Sequence, residues 1–207
     1  MEKPSKDTLM QPHSIKDLLD NARLYALVNA QLDEPDFRQF VADIIAYGID
    51  MIQLRDKHAN DRTLLVRSRI LKDSIDASGR KVIFIMNDRP DLAVLAEADG
   101  VHVGQEELPV ELVRRIVGPL LVGVSTHSIE QARQAVRDGA DYIGAGPVFA
   151  SQTKHFSQFP GLNYLREVAA EITIPAFAIG GITEERLPEI FQTGIQRVAM
   201  SSAFYKQ

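Results

Sequence analysis

Apolar and polar residues alternate in a regular rhythm along the chain from Leu24 onward. Short runs rich in β-branched residues are separated by stretches with apolar residues at three- and four-residue spacing, the pattern of an amphipathic helix. The predicted strands are 24–29, 50–55, 82–87, 100–104, 120–124, 141–146, 174–180 and 197–202. The predicted helices between them are 37–47, 60–77, 91–98, 109–117, 128–138, 162–171 and 183–192.

This order of elements predicts a fold. Near-continuous apolar strands that alternate with helices are typical of a parallel sheet covered on both faces. Eight such units close most naturally as a single-domain (β/α)8 TIM barrel, and 207 residues is at the short end of the range for that fold. The alternative is an open doubly wound sheet, which expects a glycine-rich turn after its first strand, whereas "LYALVNAQLDEPDF" contains no glycine.

The two ends of the chain are expected to differ from a regular barrel. Residues 1–23 form an N-terminal extension, and its segment "SIKDLLDNAR" has a helical pattern. After the eighth strand only "SSAFYKQ" follows, so within 24–207 the last helix is expected to be shortened or missing. We expect the N-terminal helix to cover the apolar groove that this leaves between the first and last strands.

Composition narrows the function classes. The net charge is -5 and the pI is about 5.5, so the chain offers no overall basic field for binding a nucleic acid. It contains no cysteine, which excludes disulfides, thiolate nucleophiles and cysteine-ligated metals, and the opening segment lacks the apolar core of a signal peptide or membrane anchor. The sequence predicts a cytoplasmic protein without a membrane partner, and it leaves the oligomeric state open, with a homo-oligomer allowed.

Polar residues collect at the carboxyl ends of the predicted strands, where a barrel of this kind carries its chemistry. Alternation along the second strand puts Gln53, Arg55 and Lys57 on one face, which suits an anion with several oxygens. The alternative is a solvated strand end held by a salt bridge to Asp56. Asn87 follows the third strand together with Asp88, and both residues are also good helix N-caps.

The fourth and fifth strands add acids, a hydroxyl and a histidine. Glu106 and Glu107 follow the fourth strand, and one of them beside Asp88 would suit Mg²⁺, which accepts one or two carboxylates plus water and phosphate oxygens. Alone, each acid could simply favour the start of a helix. Ser125 ends the fifth strand, and His127 is either an acid or base or a surface group near a helix start.

The last three strands end in groups suited to a phosphate. The sixth leads through Gly144 and Gly146 into a loop whose hydroxyl and ammonium donors are Ser151, Thr153 and Lys154. The seventh and eighth strands end in "AIGGI" and "AMSS", which offer backbone N–H groups and hydroxyls at Gly181, Ser201 and Ser202. The mouth is thus expected to hold a basic, metal-assisted diphosphate site beside a neutral monophosphate site.

Several motifs in this order resemble the thiamine phosphate synthase family, from about Leu24 to Ser202. They are "QLRDK", "NDRPDLA", "ADGVHVGQEEL", "GVSTHS", "DYIGAGPVF" with "SQTK", and "AIGGI". The resemblance implies a Mg²⁺-dependent transferase that joins two small-molecule substrates, 4-amino-2-methyl-5-hydroxymethylpyrimidine diphosphate and 4-methyl-5-(2-hydroxyethyl)thiazole phosphate. The products are thiamine phosphate and pyrophosphate.

The resemblance also implies roles for individual residues. The residues expected at the pyrimidine diphosphate are Gln53, Arg55, Lys57, Asn87, Ser125 and Lys154. Among them the catalytic groups would be Arg55, Lys57, Ser125 and Lys154. Asp88 and Glu107 would hold the metal, and the thiazole phosphate would lie against Ser151, Thr153, Gly181, Ser201 and Ser202. The family usually has Asp at the position of Glu107 and often has Thr at that of Ser151.

Two alternatives accompany this interpretation. A related barrel that resembles the thiazole tautomerase would use His127 as an acid or base, but it has no use for the basic and acidic set around Asp88. A non-catalytic paralogue that binds a phosphorylated ligand would be consistent with the short C-terminus and with Glu107.

Overall fold

The protein forms a closed barrel of eight parallel strands in chain order, in a computed structural model that describes residues 14–149, 160–201 and 204. The strands are β1 (Leu24–Val28), β2 (Met51–Leu54), β3 (Ile83–Asn87), β4 (Gly100–Val103), β5 (Leu121–Thr126), β6 (Tyr142–Ala145), β7 (Ala176–Ile179) and β8 (Val198–Met200). Each strand pairs with the next, and β8 returns to β1. The predicted (β/α)8 barrel is confirmed.

Helices connect the strands on the outside of the barrel. They are α1 (Ile15–Asn21), α2 (Glu34–Tyr47), α3 (Asp61–Ser78), α4 (Pro90–Leu95), α5 (Val110–Val117), α6 (Ile129–Arg137), α7 (Gly161–Glu171) and α8 (Leu187–Phe191), the last preceded by a 3-10 turn at Glu184–Arg186. Asn60 begins α3 by accepting from the Thr63 N–H, and Gly79 ends it in the left-handed conformation. None of the helices in the described ranges is long and apolar enough to cross a bilayer.

Alternation along the strands divides the apolar side chains between two cores. Ile52 and Leu54 of β2 belong to the large cluster between the barrel and its helices. Met51 of the same strand belongs to a smaller cluster that fills the barrel, together with Tyr142 and Phe177. Gly123 of β5 makes this filling fit, because a Cβ atom there would overlap the ring of Tyr142. The interior of the barrel is therefore a packed core.

Helix α1 is present where the sequence predicts a helix, but its position differs from the expectation. Its side chain Leu19 is fully buried and, with Ala22, joins the cluster inside the barrel. Ser14 starts the helix with a reciprocal capping box to Asp17. The helix therefore closes the bottom of the barrel, and the expectation that it covers the groove between β1 and β8 is wrong. The apolar core at the bottom offers Leu19 a deeper site than the outer surface.

The expected loss of the last helix falls mainly outside the described residues. Of the segment after Ser201, only Phe204 is described, and it packs edge-on against Tyr47 of α2 with ring centroids 6.4 Å apart. Phe204 also lies against the outer core. One aromatic side chain thus packs on the outside of the barrel beside α2, while the length of the final helix stays a prediction.

Candidate active site

Three charged side chains meet where β2, β3 and β4 end. The ammonium group of Lys57 lies 3.3 Å from Oδ2 of Asp88 and 3.6 Å from Oε1 of Glu107. Lys57 is half-exposed, whereas both carboxylates are largely shielded from solvent. Residues from three successive loops therefore form one acidic and basic cluster at the carboxyl rim, as the sequence predicts.

Asp88 has an unusual backbone conformation. Its φ angle is 59°, in the left-handed region that non-glycine residues rarely adopt. Its N–H donates to the carbonyl of His102 on the neighbouring strand over 2.8 Å, which fixes the turn. Helix α4 begins only at Pro90 with Arg89 as its cap residue, so Asp88 and Asn87 do not cap it. Strain of this kind is typical of functional sites, and here it directs a carboxyl group towards Lys57.

Asp56 holds the loop after β2 and does not neutralise the basic residues beside it. Its carboxylate accepts hydrogen bonds from the backbone N–H groups of Ala30, His58 and Ala59, at 2.9 to 3.1 Å. Arg55 is half-buried, and its own N–H extends the β1–β2 pairing by donating to the Val28 carbonyl over 2.7 Å. Among the described residues no salt bridge joins Asp56 to Arg55 or Lys57, so the structure does not show the alternative of a strand end held by such a bridge.

Glu107 reaches the cluster by lying over Gly104. A Cβ atom at residue 104 would overlap Oε2 of Glu107, so the absence of a side chain makes room for the carboxylate. Helix α5 starts at Val110, and Glu111 is the acid in its first turn. Glu107 therefore contacts Lys57 instead of serving the helix start, and Glu106 is exposed in the same loop.

A chain of buried polar groups crosses the barrel interior beneath this rim. Nε2 of Gln53 donates to the Tyr25 hydroxyl, which lies 3.0 Å from the hydroxyl of Tyr142. That second hydroxyl lies 3.2 Å from Nδ1 of His102, and Nε2 of His102 lies 2.9 Å from Oγ of Ser125. The chain thus joins two predicted ligand-binding residues on opposite sides of the barrel, Gln53 on β2 and Ser125 on β5.

Tyr25 and Tyr142, the two tyrosines of this buried network, stay protonated at ordinary pH. Tyr25 is 2% exposed and Tyr142 is fully buried. Burial raises the pKa of Tyr25 above its usual value and raises the pKa of Tyr142 well above it. Both hydroxyls therefore remain available as hydrogen-bond donors.

His127 is fixed by its neighbours at the end of β5. Its ring Nδ1 donates to the carbonyl of Gly146, and its backbone N–H donates to the side chain of Gln131. Helix α6 is capped by Ser128. His127 thus links the ends of β5 and β6.

The other side of the mouth is formed by β6, β7 and β8. After β6 the chain follows β7, since Val148 and Phe149 donate to the carbonyls of Ile179 and Gly180. Ile179 pairs with Ala199, and the predicted phosphate ligands Gly181 and Ser201 each follow two residues further along the chain. The four remaining predicted phosphate ligands, Ser151, Thr153, Lys154 and Ser202, lie outside the described residues.

Asp88 and Glu107 are the two carboxylates of the described rim that could bind a metal ion. Across residues 14–149, 160–201 and 204, no cluster of three or more His, Cys, Asp or Glu side chains is placed to hold an ion. Asp88 and Glu107 form a pair that shares the cation Lys57. Two carboxylates fit Mg²⁺ only if water or ligand oxygens complete its coordination.

A family model described as thiamine monophosphate synthase matches residues 24–204. The chain belongs to the thiamine monophosphate synthase family. It is 47% identical to a thiamine-phosphate synthase of Rhodopirellula baltica over 89% of this chain and 50% of that protein. It is 42% identical to a thiamine-phosphate synthase of Chloroflexus aurantiacus over 87% of this chain and 84% of that protein. The family resemblance predicted from the motifs is confirmed.

A solved structure is also similar to this barrel. The thiamine phosphate pyrophosphorylase from Pyrococcus furiosus superposes with a TM-score of 0.77 and 30% identity, covering 92% of this chain and 89% of that one. The chain spans half the length of its Rhodopirellula baltica relative, so half of the protein that carries that name has no counterpart in this sequence.

Sequence reasoning missed the residues that link the two sides of the site, Tyr25, His102 and Tyr142. Each occupies an inward position of a strand, and each is polar within an otherwise apolar run. That departure from the apolar pattern is the signal that could have identified them. Their mutual contacts could not be read from the sequence, because Tyr25 and Tyr142 are 117 residues apart.

Proposed function

We propose that this chain is a thiamine phosphate synthase. It joins 4-amino-2-methyl-5-hydroxymethylpyrimidine diphosphate to 4-methyl-5-(2-hydroxyethyl)thiazole phosphate, giving thiamine phosphate and pyrophosphate. The observation that carries the proposal is the meeting of Lys57, Asp88 and Glu107 at one rim of a barrel whose family is shown. A cation beside metal-binding acids suits the departure of a diphosphate, because both would stabilise the negative charge on the leaving group.

The reaction moves two electron pairs. The bond between the pyrimidine methylene carbon and the diphosphate oxygen breaks, and its electron pair leaves with pyrophosphate. The lone pair of the thiazole nitrogen then forms the new bond to that methylene carbon. No proton is removed from carbon, so the site needs charge stabilisation for the departing anion and no strong base.

Each side chain has a proposed task. Arg55, Lys57 and Lys154 bind the diphosphate and stabilise the charge that grows on it, while Gln53, Asn87 and Ser125 hold the pyrimidine. Asp88 and Glu107 would hold Mg²⁺, which supplies further charge neutralisation to the phosphate oxygens when bound. The groups assigned to the thiazole phosphate are Ser151, Thr153, Gly181, Ser201 and Ser202.

The proposal is tested by mixing both substrates with Mg²⁺ and measuring pyrophosphate and thiamine phosphate together. We expect equal amounts of the two products, and neither without the second substrate. A folded protein that binds both substrates but releases no pyrophosphate would be the non-catalytic paralogue. Isomerisation of a thiazole phosphate carboxylate without pyrophosphate would support the tautomerase-like alternative instead.

Two finer expectations accompany the enzyme assignment. We propose that it acts in the cytoplasm and without a nucleic-acid or membrane partner, in line with its acidic composition. A homo-oligomer stays a prediction, which sedimentation velocity on the purified chain would check.

A further inference from the structure

The buried hydrogen-bond network that runs from Gln53 to Ser125 begins at an amide group and ends at a hydroxyl group. We propose that all hydrogen bonds of this network are donated in the same direction, from Gln53 through Tyr25, Tyr142 and His102 to Ser125. The three middle residues position the two substrate-binding side chains, Gln53 and Ser125. This rests on the proposed function for the identity of the substrate. The direction itself follows from the contacts of the buried residues.

The direction is set at the Gln53 end. An amide nitrogen can only donate, so Nε2 of Gln53 makes the Tyr25 hydroxyl an acceptor. Tyr25 is 2% exposed and must place its own proton on another acceptor. Among the residues that the structure describes, that acceptor is the hydroxyl of Tyr142 at 3.0 Å.

The same reasoning fixes the tautomer of the histidine. Tyr142 has accepted from Tyr25, so its proton goes to Nδ1 of His102 at 3.2 Å. A neutral imidazole that accepts at Nδ1 carries its proton on Nε2. Nε2 therefore donates to Oγ of Ser125 at 2.9 Å.

The opposite direction does not satisfy every group in this arrangement. If Ser125 donated to His102, the imidazole proton would lie on Nδ1, Tyr142 would accept it and donate to Tyr25. Tyr25 would then accept twice, and its own proton would have no acceptor among the described residues. A buried donor left unpaired costs more than a typical hydrogen bond contributes, so the first direction is favoured.

This arrangement of protons leaves one hydrogen-bond acceptor and one hydrogen-bond donor for a ligand. Gln53 uses an amide N–H inside the barrel and keeps its carbonyl oxygen as an acceptor on β2. Ser125 accepts from His102 and keeps its own proton as a donor on β5. The complementary ligand is a heteroaromatic amine that presents an N–H donor and, elsewhere on the ring, a nitrogen acceptor. An aminopyrimidine has both, whereas an oxo-pyrimidine that replaces the amino group reverses one of them.

The tautomer can be measured directly on the free protein. We expect NMR of the 15N-histidine-labelled chain to show His102 protonated at Nε2 and bare at Nδ1, with the signal assigned by its loss in His102→Gln. Tyr142→Phe removes the donor to Nδ1 and should shift His102 towards a mixture of tautomers. Tyr164→Phe is the matched control, because Tyr164 is also buried but donates to Thr126, which is not part of the network.

The kinetic arm separates positioning from folding. Tyr142→Phe should raise KM for the pyrimidine diphosphate about tenfold, which corresponds to about 1.4 kcal/mol of binding, with a smaller change in kcat. Tyr164→Phe should leave KM unchanged, and circular dichroism should show both variants folded.

Two results would overturn the proposal. A proton on Nδ1 of His102 would mean that the oxygen and nitrogen of the Gln53 amide are exchanged and that the hydrogen bonds are donated from Ser125 towards Gln53. An unchanged tautomer and KM in folded Tyr142→Phe would remove the positioning role. If the wild-type chain released no pyrophosphate, the proposed function would fail, but the NMR result would still decide the direction of the chain.

Discussion

Glu107 lies directly over Gly104, so closely that a Cβ atom on the glycine would overlap the carboxylate oxygen Oε2. The Glu107 side chain is thus folded back over a residue without a side chain. This contact keeps the carboxylate within 3.6 Å of Lys57. Residue 104 therefore controls where the second acidic group of the rim can lie.

Gly104→Ala should displace the Glu107 carboxylate without unfolding the protein, because the overlapping atom is the end of a flexible side chain. We expect the Mg²⁺ concentration for half-maximal activity to rise several-fold and the melting temperature to change by less than about 2 °C. Mn²⁺ binding followed by electron paramagnetic resonance gives a readout independent of turnover. The double variant Gly104→Ala with Glu107→Asp should recover part of the loss, and unchanged metal binding in Gly104→Ala would contradict the role of the contact.

Asp88→Asn should lower kcat at least tenfold, about 1.4 kcal/mol of transition-state stabilisation, because it removes one charge from the proposed metal site. Asn is the suitable replacement, since it tolerates the positive φ of 59° that this position requires. Steady-state pyrophosphate release measures the effect. Glu106→Gln, in the exposed part of the neighbouring loop, is the control and should retain the wild-type rate. An unchanged rate in Asp88→Asn would exclude Asp88 from the metal site.

Leu19→Ala should destabilise the fold by about 2–5 kcal/mol, because Leu19 is fully buried at the bottom of the barrel and a smaller side chain leaves a cavity. Urea unfolding measures the loss. Leu112→Ala on α5 removes the same atoms from a leucine that is 38% exposed and should cost much less. Equal effects of the two substitutions would show that α1 is not part of the barrel core.

Arg89 should make stability depend on pH in the acid range. Its guanidinium donates to the carboxylates of Asp61 and Asp91, and these hydrogen bonds hold the pKa of each carboxyl below its ordinary value. A lowered pKa stabilises the folded state above the unfolded pKa of about 3.9, and the contribution is lost as the pH falls through the folded value.

Arg89→Met should therefore be less stable than the wild type at pH 7, and the difference should shrink below about pH 4. Urea unfolding at a series of pH values measures it. Arg115→Met, an exposed arginine on α5, should follow the wild-type profile. A difference between Arg89→Met and wild type that stays constant down to pH 2 would contradict the ion pairs.

The clustering of one basic and two acidic residues at the rim could be predicted because strand ends are a local property. The position of Lys57, Asp88 and Glu107 after three successive strands places them on one rim as soon as the sheet closes. The choice between alternative roles could not be predicted in the same way. Asp56 has the same side chain as Asp88, yet it binds three backbone N–H groups instead of a basic side chain, because of the loop in which it lies.

The sequence by itself determined the eight strands, the helices between them and the family, because periodicity and motifs are written in neighbouring residues. Only the tertiary structure decided where α1 packs, how Glu107 fits over Gly104, and that Tyr25 meets Tyr142 across 117 residues. The physical reason is that a closed barrel turns alternate residues of every strand towards one shared interior. Which side chains meet there depends on the register of all eight strands together.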